Sequence, residues 1–577
     1  MAVLKFIPQL YQVKLTQKLN REIMVVTNSE AKYYNRLYKF FQHTEIKSSL
    51  EIDYDIRKIY VDSLEKENIS SKYRLELISL FDRLKIENMP EIYLENQSIS
   101  IEQDFFKKDK LFLLYVPNKK KAQTFRKVRN KEELLWDFSN IHSAKLKKQI
   151  KIVLCGILNM DIDQRKRRYF LEPLKLLMQY CNKYGIDDIE EMEQADENRF
   201  CLYLSTQSET MKKQALTIIE FSRKTLFLTR PDINWKACVW YMDKFQLDKS
   251  RINASTPIQK MSFLNIHNKE NREYLQSYVK YLIGISDMAL SSIRNSLGYV
   301  SRFLQYLDES NKKVTELEID DIEDYVSILN EQDIKYATFN QYILNIHTFF
   351  LFLNVKNIKV LKFYPKFFLK KGYTEHNNRS VPEETIAKII EELPSFPEHL
   401  QVMFLILFCT GIRKSELCTV KAGAFYTNGK ESWMRIYQIK MKNEKVIPIP
   451  RALVEIVEDY EKKYGKKRGE YLFKNKKGNA FNGETFSQQM VKECKKRGID
   501  CVDYIFRAHD YRHNVATSLY EKGVSIQGVR EYLGHASENM TKQYVDFMPE
   551  RIVAAENKYF LKNQSFDLKG ETNEREY

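Results

Sequence analysis

Along most of the chain, apolar and aromatic residues recur at three- and four-residue spacing, the period that lines one face of an α-helix. The pattern predicts a mostly α, multidomain protein, and the 36 Tyr and 34 Phe that sit on these stripes read as core. Past Ser380 the texture changes, and helices there alternate with one strand-like stretch. Residues 433–449 read WMRIYQIKMKNEKVIPI, two β-rich runs around a polar Lys442-Asn443-Glu444 turn. That predicts a hairpin, with Lys440 just before the turn.

The helical part repeats itself. Residues 299–307 read YVSRFLQYL, then VTELEIDDIEDYVSIL, then a helical run ending in HTFFLFL. Residues 33–41 read YYNRLYKFF and lead into LEIDYDIRKIYVDSL and a further helical run. At a constant offset of 265, Tyr60, Val61, Leu64 and Ile69 fall on Tyr325, Val326, Leu329 and Ile334. A fainter copy starts at Tyr169 and runs through Leu226. Self-similarity of this kind marks a repeated structural unit, so related helical units are expected near 24–86, 165–228 and 272–354.

Two basic connectors without an acid follow two of these units. One is 119–131, with Lys119, Lys120, Lys121, Arg126, Lys127, Arg129 and Lys131. The other is 356–371, where Lys356, Lys359, Lys362, Lys366, Lys370 and Lys371 are interleaved with Phe363, Tyr364, Phe367 and Phe368. Runs of like charge are usually solvated loops, but an aromatic-interleaved one beside a helical domain suits contact with DNA phosphates.

Composition narrows the class. At 577 residues the chain exceeds one typical domain. Its 93 Lys and Arg against 77 Asp and Glu leave a net +16, which favours a polyanionic partner, nucleic acid first. The eight cysteines form no CxxC pair, so neither a metal site nor a disulfide framework is expected. The longest apolar run, Val402 to Cys409, falls well short of the ~20 residues that span a bilayer. With no export signal recognisable, a cytoplasmic protein without membrane contact is expected.

Chemistry-bearing residues cluster after Ser380. The stretch VMFLILFCTGIRKSELCTV predicts an apolar helix ending at Gly411, then Arg413 at the start of a second helix with Glu416 three residues on. Residues 507–515, RAHDYRHNV, put His509 and Arg512 on one helical face. Residues 530–544, REYLGHASENMTKQY, hold Gly534 as a helix stop, His535 in the loop, and Ser537 as N-cap of a final helix carrying Tyr544.

This order and spacing resemble the catalytic domain of the tyrosine recombinases (phage integrase family): an Arg in TGIRKSEL, a hairpin Lys, a His-x-x-Arg, a Leu-Gly-His, and a Tyr nine residues after that His. The six positions are filled by Arg413, Lys440, His509, Arg512, His535 and Tyr544, although the hairpin reads Ile439-Lys440-Met441-Lys442 where the family often has Gly-Lys-Gly. Lys442 stays open as the alternative hairpin lysine. The resemblance covers roughly 380–550, and 272–354 resembles the family's helical core-binding (SAM-like) domain.

The fold implied is a series of tandem helical core-binding-like units followed by a mixed α+β catalytic domain with a small β-hairpin sheet. Its expected divisions are 1–131 and 132–265, two helical units; 266–371, the core-binding domain and basic linker; 372–560, the catalytic domain; and 561–577, a tail. The reaction implied is DNA cleavage by Tyr544 as nucleophile, leaving a 3′-phosphotyrosine and a free 5′-hydroxyl, with no cofactor. Arg413, Arg512 and His535 would stabilise the phosphoryl group, His509 would take the tyrosine proton, Lys440 would protonate the leaving oxygen, and Glu416 would orient Arg413. The implied partners are double-stranded DNA, a homotetramer on synapsed sites, and partner recombinases or accessory DNA-bending proteins. Extended, repeated N-termini suggest a mobile element, with integration or excision as the task.

Overall fold

The computed structural model describes residues 14–89, 104–205, 209–372, 381–499 and 504–535. These residues gather into two compact units, one within Met1–Lys244 and Ser262–His267, the other within Phe245–Met261 and Asn268–Tyr577.

The internal repeat takes the form of three sets of four helices. The first set is Gln17–Val26, Ala31–Phe41, Tyr54–Glu65 and Ser71–Glu87. The second is Ala144–Leu158, Gln164–Tyr184, Gln194–Ser205 and Glu209–Thr229, of 15, 21, 12 and 21 residues. The third, in the other unit, is Lys269–Gly284, Leu290–Glu309, Ile319–Glu331 and Tyr336–Val355, of 16, 20, 13 and 20 residues. Those near-equal lengths in the same order mark the second and third sets as copies of one design. The repeat positions sit in equivalent cores: Tyr60 stacks on Phe81 with centroids 4.4 Å apart, and Tyr325 meets Phe303 edge-on at 5.1 Å.

The second set starts one helix before the expected 165. A signal for it lies in the sequence, since Phe138-Ser139-Asn140-Ile141-His142 and Phe263-Leu264-Asn265-Ile266-His267 stand 125 residues apart. Phe138 and Phe263 are fully buried. The next residue in each copy caps a helix: Ser143 accepts from the Leu146 N–H, and Asn268 from the Glu270 and Asn271 N–H groups.

The first basic connector is folded. Lys119–Phe125 is a short helix, and Lys131 turns back on its end, its Nζ donating to the carbonyls of Arg126 at 2.6 Å and Val128 at 2.7 Å. Carbonyls left open at a helix C-terminus draw in a cation of this kind. The second connector begins in a turn at Lys356 and Asn357, Asn357 with φ 53°, and then runs without helix or strand apart from the turn Pro365–Phe367. Phe363 is buried, while Tyr364 and Phe367 lie exposed.

In the C-terminal part, the helix Glu398–Thr410 is apolar on every side from Val402 on, and such a helix must be covered on every side. The helices Ala508–Glu521, Arg451–Lys463, Lys414–Thr419 and Gly483–Lys496 pack around it. Beside them lies a three-stranded antiparallel sheet of Phe425–Asn428, Glu431–Gln438 and Asn443–Pro448. In the middle strand Ser432, Met434, Ile436 and Gln438 are buried and alternate with more exposed residues, the half-buried strand pattern. The ladder runs from Trp433↔Pro448 to Gln438↔Asn443. The turn is therefore 439–442, earlier than expected, and Asn443 and Glu444 belong to the second strand. Lys440 and Lys442 both lie in this turn, Lys442 with a left-handed φ of 52°.

Candidate active site

Gly411 ends the apolar helix in the left-handed region, at φ 60°, and a Cβ there would stand 2.9 Å from Cβ of Val515. Only glycine satisfies both conditions, and the tight turn brings Arg413 directly to the start of the next helix. Glu416, 2% exposed, accepts from the Arg413 backbone N–H and from its Nη1, both at 2.9 Å. One carboxylate thus caps the helix and aims the guanidinium.

Arg512, also 2% exposed, donates Nη1 to the Gly411 carbonyl at 2.9 Å and Nη2 to the Leu533 carbonyl. Arg413 Nη2 donates to the Gly534 carbonyl at 3.0 Å. Gly534 ends the helix Ile526–Leu533 with φ 66°, and a Cβ there would strike the Gln438 side chain at 2.2 Å. The Leu-Gly-His turn is therefore gripped by both arginines and seated on the sheet.

Arg413, Lys440, His509, Arg512 and His535 together line one cavity of about 620 Å³. Arg512 and His535 are buried, Arg413 is half-buried, and Lys440 and His509 are exposed. Tyr544 and Ser537 lie outside the described residues. Lys442 leaves the cavity and donates to the Asp287 carbonyl and Oδ2, both at 3.0 Å. Of the connector lysines, Lys359 binds the Thr315 carbonyl at 3.0 Å and Lys370 lies 4.1 Å from the Phe339 ring centroid. Lys356, Lys362, Lys366 and Lys371 are exposed.

Sequence reasoning missed two features. One wall of the cavity comes from Asn253, Ser255 and Thr256, far upstream. Asn253 Oδ1 accepts from the Ser255 N–H at 3.1 Å and Oγ at 2.9 Å, and the Ser255 carbonyl accepts from the Gly483 N–H at 3.3 Å. Arg251 ties the same tract to the third helical set through the carbonyls of Leu282, Ile283 and Met288 at 3.2, 2.8 and 2.9 Å. A short polar loop carries no signal of such a role. The other missed residue is Lys445, half-buried beside both arginines; burial, then Arg512, pushes its ammonium down to about 8.

The electrostatics favour an anion. Burial, then Arg512 and Arg413, pushes the His535 imidazole down to about 3, so it is neutral at working pH and offers one N–H. The folded value lies below the unfolded one of about 6.5. Below pH 6.5 the unfolded chain therefore takes up a proton that the folded chain refuses, and stability falls with acidity down to about pH 3. In urea titrations, His535→Gln should flatten the fall in stability between pH 7 and 5. An unchanged slope would mean that His535 is protonated in the fold.

Among the described residues no group of three or more His, Cys, Asp or Glu could hold a metal ion, and no helix is long and apolar enough to cross a membrane.

Residues 275–357 match the profile of the phage integrase N-terminal SAM-like domain and 379–551 that of the phage integrase family. Among curated relatives, transposase B from transposon PsiTn554 of Staphylococcus aureus is 28% identical over 332 residues, covering 55% of this chain. The match spans only about half of that transposase, 52% of its length. Tyrosine recombinase XerA of Pyrococcus horikoshii is 26% identical over 284 residues, 48% of this chain and 89% of its own. Among solved structures, the XerH site-specific recombinase bound to palindromic difH substrate aligns with a TM-score of 0.40 at 18% identity, over 52% of this chain and 87% of that one.

Proposed function

We propose that this protein is a site-specific DNA recombinase that cleaves and rejoins duplex DNA through a 3′-phosphotyrosine, serving the integration or excision of a mobile element. The observation that carries the reading is the convergence of Arg413, Lys440, His509, Arg512 and His535, from separate segments, on one cavity. The likeness to a transposon's transposase supports the mobile-element part.

The chemistry follows from the side chains. Phosphoryl transfer depends on positioning and on stabilising charge over the equatorial oxygens. Two guanidinium forks suit non-bridging oxygens, and the neutral His535 adds an N–H donor. Tyr544 attacks the phosphorus and His509 accepts its proton, a contribution of roughly 10²- to 10⁴-fold. Lys440 protonates the departing 5′-oxygen; its place on the cavity, against the engagement of Lys442 with Asp287, favours it for this step. Reversal with a second strand's 5′-hydroxyl completes exchange, within a tetramer on synapsed sites. The exposed lysines of 356–371 contact the DNA backbone, and accessory DNA-bending proteins or partner recombinases assist.

The test is covalent capture. The full chain is incubated with a library of nicked random-sequence duplexes, and adducts that survive denaturation are recovered and sequenced. Adduct on a defined sequence, followed by exchange between two labelled copies of it, supports the proposal. Resealing without exchange points to a topoisomerase-like enzyme, and no adduct on any duplex refutes covalent cleavage.

The lysine role has its own test. On a selected duplex with sulfur in place of the 5′-bridging oxygen, the leaving thiolate has a conjugate acid of pKa near 8.5 if it resembles cysteine, and it departs without a donated proton. Lys440→Ala should be badly impaired on ordinary DNA and largely restored on the sulfur substrate, while Lys442→Ala shows a mild defect on both. Rescue at Lys442 instead would move the role there.

A further inference from the structure

Strand alternation puts Lys445 on the same side as the buried Ile447, whereas Glu444 and Val446 face solvent. A core-facing position of this kind normally holds an apolar residue, because an ammonium is costly to bury unless it is partnered. The partner is the Tyr532 carbonyl, to which Lys445 Nζ donates while lying 5.9 Å from the Tyr532 ring centroid. Beside it, Arg512 donates to the Leu533 carbonyl and Arg413 to the Gly534 carbonyl. Three consecutive carbonyls at the end of the helix Ile526–Leu533 are thus each held by one cation, from three different elements. Helix C-terminal carbonyls lack partners of their own and carry the negative end of the dipole, which accounts for the attraction. It does not account for an arrangement in which two of the three cations are the candidate catalytic arginines.

We propose that Lys445 is a positioning residue of the cleavage reaction: by anchoring the Tyr532 carbonyl it fixes the 533–535 turn against which Arg413 and Arg512 are aimed. This role rests on the recombinase reading above. Lys445 does not line the cavity, so its part is played through the arginines and His535. The charged and titratable groups that face it are Arg413 and Glu416 at the start of one helix, Arg512 on a second, Glu531 and Tyr532 on a third, and His535 in the turn. Burial, then Arg512 and Arg413, holds the ammonium at about 8, opposed by Glu416 and Glu531. As it deprotonates, the anchor loses its charge, and the aim of the arginines weakens.

The test uses the full chain and a duplex recovered by covalent capture. Lys445→Met should slow single-turnover adduct formation by 10- to 100-fold while changing the half-saturating DNA concentration less than threefold. Lys445→Arg should restore the rate to within threefold at neutral pH, since arginine donates to the same carbonyl. The ratio of rate to half-saturation, which follows the free enzyme, should fall above pH about 8 in the wild type. In Lys445→Arg that limb should move up by more than one pH unit, because arginine stays charged. If Lys445→Met does not fold, by circular dichroism and thermal unfolding, the arginine variant's pH profile decides alone. Wild-type rates in Lys445→Met, or an alkaline limb unmoved in Lys445→Arg, overturns the positioning role and leaves the recombinase reading standing. No adduct from the wild type overturns both.

Discussion

Tyr544→Phe should yield no covalent protein–DNA adduct on any captured duplex, a loss on the order of 10⁴-fold or more, while binding the same DNA almost as tightly as the wild type. The hydroxyl is the nucleophile, and its removal takes away no charge that attracts the backbone. Denaturing gels with a nicked suicide substrate read the adduct directly, and a filter-binding curve on the same duplex reads affinity. The described tyrosine nearest in sequence, Tyr532, is a poor substitute. Its hydroxyl lies 3.4 Å from the Pro448 carbonyl, and burial pushes it up to about 12. An adduct from the Phe variant, mapped by peptide sequencing to another tyrosine, would remove Tyr544 from the mechanism.

Arg512→Ala should lower the cleavage rate by about 10³-fold, the scale set by removing one preorganised donor from a phosphoryl-transfer site. DNA affinity should change far less, because the guanidinium acts mainly on charge that develops in the transition state. Arg512 is also structural: alanine leaves the Gly411 and Leu533 carbonyls without their donor, at a cost of roughly 1–3 kcal/mol for each buried group left unmet. Arg512→Lys separates the two effects, since an ammonium keeps the charge but cannot present a fork to two oxygens. It should recover much of the stability and little of the rate. Equal losses in affinity and rate for both variants would make Arg512 a backbone-positioning contact.

The turns that carry the cavity residues are legible in the sequence, because their signals are local. Helical period and glycine stops announce where apolar helices end, so Gly411 and Gly534 marked the turns that present Arg413 and His535. The hairpin was found but its turn misplaced. Lys442, Asn443 and Glu444 read as a polar loop, yet Asn443 and Glu444 pair with Gln438 and Tyr437 as strand residues. They belong to an exposed edge strand, where polar side chains cost nothing, so composition could not tell strand from turn. Lys445 was invisible for a related reason. Three lysines follow one another at 440, 442 and 445, and only the packed structure separates one on the cavity, one on Asp287 and one behind the arginines. The first helix of the second set carries no aromatic residue, so aromatic stripes do not mark it, and only its capping turn repeats.

The tract Phe245–Met261 precedes the third helical set in the chain, yet it packs with the unit that follows it and supplies Asn253, Ser255 and Thr256 to the cavity. Where a gene fragment is cut therefore matters more than alignment with the family suggests. A fragment starting at residue 266 keeps every family position but discards part of the cavity wall, together with the Arg251 tether. One starting at residue 245 keeps both. The longer fragment should cleave captured duplexes at rates near those of the full chain and the shorter one markedly more slowly, a gap of 21 codons that contains none of the family's six positions.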